Sequence, residues 1–444
     1  MLLAILSLAI LLIGLGNPPV TRTQEARVLE TARQMMHQPL QKWLIPELND
    51  EARLQKPPFA YWYTAIAFKA FGVSDFTGRL PTAILAGFTL IATYLVGSLL
   101  FNPRVGLLSS TMLMGCYLFA RHARLAETDL PATLFITVAV LSIVRTLSDP
   151  NRSPPDLHLF ALASGLAIVS KGGPAVFAIL FLICIACVER RFDLPTRFIT
   201  SGAILTLLVV AVPWFAYVAH EHGLQTFLHE LRNTAEGGDH AGSILEYVAV
   251  IGWGGAPWSF VLPFAIYEAI MRWKRDWRLR ACLMWIACIA LPLMFNGNRQ
   301  KHYLLPMFPA IVVLVAWWID ATLKQLDRAT IIAGVLAVIL PVAVAVVIPA
   351  LMEDSSRAIA ARLNERYAAS DLRFFGDNRS PAISYNMRKQ IPWVASNDDA
   401  LRLKDVTLLV IGKANRPMVR PPELYVELER FDAGGQSYAI YRRP

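Results

Sequence analysis

Lysines, arginines and carboxylates in this 444-residue chain cluster in a few short polar stretches between long apolar runs. The richest is Thr21–Trp62. It opens with Gln24-Glu25-Ala26-Arg27, passes through Trp43–Asn49, and closes on Gln55-Lys56-Pro57-Pro58-Phe59-Ala60-Tyr61-Trp62. Glu25 is a candidate proton acceptor, although an acidic residue at a helix start is also favoured by the helix dipole alone. Lys56 precedes two prolines, each of which fixes its own φ and restricts the residue before it. A lysine held in this way suits a lipid phosphate through a charge-assisted bond. A lysine snorkelling to headgroups is the plainer reading.

Four further stretches carry ionisable groups. In Arg121-His122-Ala123-Arg124-Leu125-Ala126-Glu127-Thr128-Asp129, two carboxylates two residues apart are placed to bind a divalent cation, position an acceptor, or pair with Arg124. Asp129, just before Leu130-Pro131, also reads as a helix N-cap. Lys171-Gly172-Gly173-Pro174 interrupts an otherwise continuous apolar stretch, as a tight turn with a lysine at phosphate height. Asn298–Tyr303 brings Arg299, Lys301 and His302 together. His229, Asp239 and His240 share a longer loop but lack metal-ligand spacing. Each stretch alone has an ordinary structural explanation. Together they set cations and carboxylates beside apolar clefts, and ionisable residues so near lipid default to function. A polyprenyl phosphate needs that combination: cations for the phosphate, a groove for the chain, a carboxylate for the nucleophile.

The elements that position these groups are membrane spans. The chain is 55% hydrophobic and 17% charged, with mean hydropathy +0.45, whereas soluble domains carry about a quarter charged residues. Apolar runs near 1–16, 82–101, 105–120, 130–147, 157–170, 173–188, 197–219, 245–270, 281–296, 303–320 and 329–351 give about eleven spans. Leu2–Gly16 lacks a basic n-region and a cleavage site, so it reads as a retained first helix. The net charge of +9 sits in short loops such as MRWKRDWRLR, the positive-inside pattern, which excludes nucleic acid as partner. With the N-terminus cytoplasmic, the polar stretches above all fall on the outer face. Cys116, Cys184, Cys187, Cys282 and Cys288 lie in apolar runs and form neither a disulfide framework nor a metal motif. In the first outer loop, Val28, Leu29, Ala32, Met35 and Met36 predict an interfacial helix with Glu30 and Arg33 facing water. Phe59–Phe71 is a second interfacial segment. From 352 to 444 the chain turns charged, with a helical pattern over Arg357–Tyr367 and strand-like DLRFFG, VTLLVIG and SYAIYRR. The expected division is a transmembrane domain over 1–351 and a small extracytoplasmic α/β domain over 352–444.

At these residues the chain resembles the lipid-dependent glycosyltransferases of the GT-C class, specifically the protein O-mannosyltransferase and aminoarabinose–lipid A transferase family of bacterial inner membranes. The resemblance runs through 1–351 in order. It rests on Gln24–Arg27, Trp43–Asn49, Gln55–Trp62, Arg79-Leu80-Pro81, Ala126–Pro131, Lys171–Pro174, Pro257-Trp258 and Arg299–Pro306. The chain departs from the family at two positions. The family's acidic residue before Glu-Ala-Arg is Gln24 here, and its Glu before Lys-Pro-Pro is Gln55. Glutamine can hydrogen-bond an acceptor but cannot serve as a base, so either Glu25 or Asp129 takes over as base, or the chemistry is altered or lost.

The resemblance implies a multi-pass enzyme that moves a sugar from a polyprenyl monophosphate to a lipid or protein acceptor at the periplasmic face, with inversion. Lys56, Lys171, Arg299, Lys301, Arg27 and Tyr303 would hold the donor phosphate. Glu25, Asp129 and Gln24 would serve catalysis, and Glu127, Gln55, His229 and His240 would contact the acceptor or a metal. A divalent cation is the one candidate cofactor. Two alternatives remain at this point: an impaired relative that binds the lipid carrier or partners an active transferase, and a transporter of a lipid-linked substrate.

Overall fold

The computed structural model describes residues 2–443, apart from 55, 150–152, 174–175, 227, 230–242, 296–299, 323–325, 352–354, 369, 377, 379, 413–417 and 434. The chain forms two compact units. One comprises 1–15, 54–60 and 79–347; the other comprises 16–53, 61–78 and 348–444. Most of the first polar loop, 16–53, thus belongs to the same unit as the tail, a grouping that hydropathy did not suggest, while 54–60 with Lys56 belongs to the helical unit.

The first unit is helical. Among the described residues, five helices are long and apolar enough to cross a membrane: Asp75–Leu100, Asp129–Ser148, Ala203–His222, Trp277–Phe295 and Lys301–Thr322. Shorter apolar helices include Val176–Val188, Ile244–Gly254 and Leu262–Met271. The last two replace the single expected span 245–270. A 3-10 turn at Trp258–Phe260 separates them, next to Pro257, which lacks an amide proton and disfavours helix in the residue before it. Trp258 Nε1 donates to Met112 O at 3.0 Å, so the Pro-Trp element fastens two segments together. Arg79-Leu80-Pro81 does not precede a span; it lies inside the helix Asp75–Leu100.

The N-terminal helix α1 (Leu2–Leu12) is held by two buried arginines. Carbonyls at a helix C-terminus have no intrahelical partner. Here Arg124 donates from Nη1 to Leu11 O at 2.6 Å and from Nη2 to Ile13 O at 2.5 Å. Arg79 Nη1 donates to Leu15 O at 3.1 Å. Burial, and then the neighbouring Arg79 charge, pushes the Arg124 guanidinium down to about 10. The helices Asp75–Leu100 and Pro103–Met114 close on each other through glycine. A Cβ on Gly97 would lie 2.9 Å from Gly106 Cα, which only small residues allow.

In the second unit, α2 (Thr23–Met35) buries Val28, Leu29, Ala32 and Met35 as its spacing predicts. Glu30 does not face water: it is fully buried. It accepts from Arg33 Nε and Nη2 and from Gln34 Nε2, each at 2.7 Å. Burial still holds its carboxyl above the usual range. The tail is the reason, because the helix Pro381–Met387 packs on α2 and Arg33 Nη1 donates to Arg388 O at 3.2 Å. Asp75 accepts from Tyr385 Oη at 3.0 Å and from Arg357 Nη2 at 2.6 Å.

The tail sheet has the order β4-β3-β5-β7-β6, formed by β3 (Asp371–Phe375), β4 (Trp393–Val394), β5 (Val406–Gly412), β6 (Val426–Ala433) and β7 (Gln436–Arg442). β3 pairs in parallel with β4 and β5, and β7 pairs antiparallel with β5 and β6. β5 is buried along its whole length, which accounts for the four consecutive apolar residues Leu408–Ile411.

Replacing Arg124 with Met removes two charged hydrogen bonds and strands two carbonyls. The expected loss is about 2–4 kcal/mol, read as a lower melting midpoint in detergent; an unchanged midpoint would show that α1 is held by its apolar contacts alone.

Candidate functional site

Two packed helices build the centre of the site. α7 (Asp129–Ser148) and α8 (Ser153–Lys171) are 20 and 19 residues long. They are joined by a short connection and packed together, so the start of α7 meets the end of α8. Asp129 is the first residue of α7 and Lys171 the last of α8. A carboxylate at a helix N-terminus and an ammonium at a C-terminus each complement the macrodipole. Here the two meet: Lys171 Nζ donates to Asp129 Oδ1, and the side chains are only 6% and 5% exposed. Thr128 occupies the N-cap position, with no side-chain cap bond. Asp129 is therefore not the cap that the sequence suggested.

The 3-10 segment Lys301–Met307 supplies the next groups. Leu304, Leu305, Pro306 and Met307 are buried and anchor it, while Tyr247 Oη donates to Gln300 O at 3.3 Å. This turns His302 Nε2 to within 3.7 Å of Asp129 Oδ1. The Tyr303 ring lies under Lys171, with Nζ 4.3 Å from its centroid. That cation–π contact leaves the phenol available for hydrogen bonding. Ahead of α7, His122 Nδ1 lies 3.3 Å from Glu127 Oε2, and the His122 and His302 rings are 5.9 Å apart. Lys56 is close enough to act electrostatically on both Asp129 and Lys171. Its stretch is fixed by Phe59, which meets Phe135 of α7 edge-on at 5.5 Å.

Of the residues singled out from sequence, Lys56, Glu127, Asp129, Lys171 and Tyr303 come together. Lys301 is exposed beside them in the chain. Neither carboxylate needs Arg124, whose guanidinium is spent on α1. Glu25 is buried in α2 of the second unit, with Gln24 and Arg27 half-buried there. His229 is exposed and is not part of the compact acidic–histidine group formed by His122, Glu127 and Asp129. Gln55, Arg299, Asp239 and His240 lie outside the described residues. His122 and His302 were named within the charged stretches but carried no assigned role from sequence. Their only sequence signal was adjacency to the charged motifs.

Chemically, the centre is a buried carboxylate bridged to an ammonium, with a second lysine and two imidazoles around it. A buried pair of this kind gains little stability over an apolar replacement, because desolvation offsets the attraction. What it provides is a cation held ready in a site of low dielectric, where an arriving anion would interact strongly.

Residues 55–217 match the family profile described as dolichyl-phosphate-mannose-protein mannosyltransferase. An uncharacterised protein of Aquifex aeolicus is 28% identical over 332 residues, covering 72% of this chain and 64% of that protein. Undecaprenyl phosphate-alpha-4-amino-4-deoxy-L-arabinose arabinosyl transferase 2 of Proteus mirabilis is 24% identical, covering 81% of this chain and 66% of that protein. The matches thus span just under two thirds of the length of these relatives. Among solved structures, ArnT from Cupriavidus metallidurans bound to undecaprenyl phosphate aligns with a TM-score of 0.80 at 15% identity, covering 99% of this chain and 97% of that one. The fold is shared.

Breaking the ion pair from one side leaves a buried charge unpaired, so Lys171→Met or Asp129→Asn alone should each destabilise by about 3–5 kcal/mol. The double variant should lose clearly less than the sum, as a double-mutant cycle in thermal unfolding would read; additive losses would mean the two groups do not depend on each other.

Proposed function

Because this chain belongs to the GT-C family of protein O-mannosyltransferases and aminoarabinose–lipid A transferases, we propose that it is a membrane glycosyltransferase. It uses a polyprenyl-monophosphate sugar, with undecaprenyl phosphate as the carrier, as the names of its relatives suggest. The acceptor is a lipid or protein at the periplasmic face of the bacterial inner membrane. The observation that carries this reading is the buried Lys171–Asp129 pair with Lys56 and Tyr303 beside it, at one end of apolar helices.

In the reaction, the bond between the sugar's anomeric carbon and the phosphate oxygen breaks as the acceptor's oxygen or nitrogen attacks from the opposite face. The sugar passes through an oxocarbenium-like state, and single displacement inverts the centre. The departing phosphate gains charge, and countering that charge is the largest electrostatic task. Lys56 and Lys171 take it, with Lys301 as a further cation and the Tyr303 hydroxyl as a donor; Arg27 and Arg299 are candidates on the sequence motif alone. The acceptor's proton goes to a carboxylate, for which the sequence motif nominates Glu25, since Gln24 cannot accept it. Asp129 orients the acceptor and holds Lys171.

A second reading is favoured by one observation, the glutamine at position 24. The chain would then bind the carrier without turnover, alone or as partner to an active transferase.

A panel of radiolabelled polyprenyl-phosphate sugars, offered to membranes containing the wild type or a variant, separates the two. Transfer into lipid or protein that falls about 100-fold or more in Lys171→Met, and is lost in Glu25→Gln with donor binding intact, is the expected result. Donor binding without transfer, with transfer gained by Gln24→Asp, would establish the second reading. Full transfer by Lys171→Met would remove the first.

A further inference from the structure

We infer that two basic turns, Glu189–Asp193 and Arg272–Arg280, form a site for a phospholipid whose head carries two phosphates. The site lies at the end of the helices remote from Lys171. The chain returns from Lys171 through the helix Val176–Val188. Beyond it, Ser201 O accepts at 3.1 Å from Nε2 of His158, which sits near the start of α8. The first turn and the proposed transfer centre are therefore at opposite ends of the same helices.

One guanidinium joins the two turns. Arg280 donates from Nε and Nη2 to the two carboxylate oxygens of Glu189, at 2.6 and 2.7 Å, and from Nη1 to Trp273 O. Arg190 follows Glu189 and Lys274 follows Trp273, so each stands one residue from an end of that bridge. The nearby acids are already engaged. Asp193 holds Arg191 through both oxygens and Arg197 at 3.3 Å. Asp276 holds Arg278 through both oxygens, and Glu268 holds Arg272 at 2.6 Å. This leaves Arg190, Lys274 and Arg275, all exposed and with no acidic partner among the described residues.

Membrane orientation requires only that positive charge fall somewhere in the loops of one face. It does not require two turns fastened together. The surroundings point to lipid as the occupant. Phe192, Ile199 and Met271 are exposed beside the cations, and Trp273 and Trp277 are half-buried, the composition of an interfacial belt. Basic pockets between transmembrane helices are a known setting for multiply charged phospholipid heads. Two turns at a fixed separation favour two phosphates on one head over two separate lipids, because the second contact then forms within one molecule. The inference needs neither sugar donor nor acceptor and stands apart from the transfer reading.

The test is native mass spectrometry of the delipidated full-length protein in detergent, titrated separately with cardiolipin, phosphatidylglycerol and phosphatidylcholine. The wild type should bind one cardiolipin at least about tenfold more tightly than phosphatidylglycerol, with phosphatidylcholine weaker still. Arg190→Gln and Lys274→Gln should each weaken cardiolipin binding about fivefold, the effect of one basic residue near a charged lipid. Lys274→Arg should keep it, which separates loss of charge from loss of fold. Arg104 is exposed at the same end of the helices, where Arg278 Nη1 donates to Leu100 O at 3.4 Å, and Arg104→Gln should change nothing. Equal affinity of the wild type for cardiolipin and phosphatidylglycerol, or unchanged cardiolipin affinity in Arg190→Gln and Lys274→Gln, would overturn the inference. So would an equal loss in Arg104→Gln, which marks a diffuse field instead of a site.

Discussion

The constraint on which the first unit turns is that an ammonium and a carboxylate are buried together where apolar helices end. Neither Lys171 nor Asp129 is tolerable there alone. Their pairing fixes where α8 stops against where α7 starts. The segment carrying His302 and Tyr303 is in turn placed by its contacts with the same two groups. The pair therefore acts both as a register mark for the helices and as the centre of charge for the proposed chemistry.

The same rule of polar satisfaction explains features that look unrelated. Arg79 and Arg124 are buried because the carbonyls ending α1 would otherwise lack partners in an apolar setting. Glu30 is buried because Arg33 and Gln34 satisfy it beneath the tail helix. In the second unit, the tail grips the first polar loop through the backbone of Arg388, and the start of the helix Asp75–Leu100 through Asp75. The helix bearing Glu25 is thus held by structure encoded more than 300 residues later.

Much of this was legible in the sequence, for identifiable reasons. The amphipathic face of α2 follows from apolar spacing, and so do the tail's helix and its strands at DLRFFG, VTLLVIG and SYAIYRR. Lys56, Asp129 and Lys171 stood out because charge is expensive beside lipid. Hydropathy could not show that 245–270 breaks at Pro257, because a single proline barely lowers the mean of a long apolar window while still ending a helix. It also could not show Glu30 buried, because the covering helix is distant in sequence. His122 and His302 received no role for a similar reason: an imidazole gains meaning only from partners that the fold supplies.

The account's central claim is that Lys171 is a cation shared between Asp129 and a phosphate. The most direct measurement is the affinity of the purified protein for a polyprenyl phosphate without sugar, by native mass spectrometry, for the wild type, Lys171→Met and Asp129→Asn. The account predicts weaker binding when the lysine is lost and tighter binding when the aspartate no longer claims it. Equal affinity in all three would contradict it.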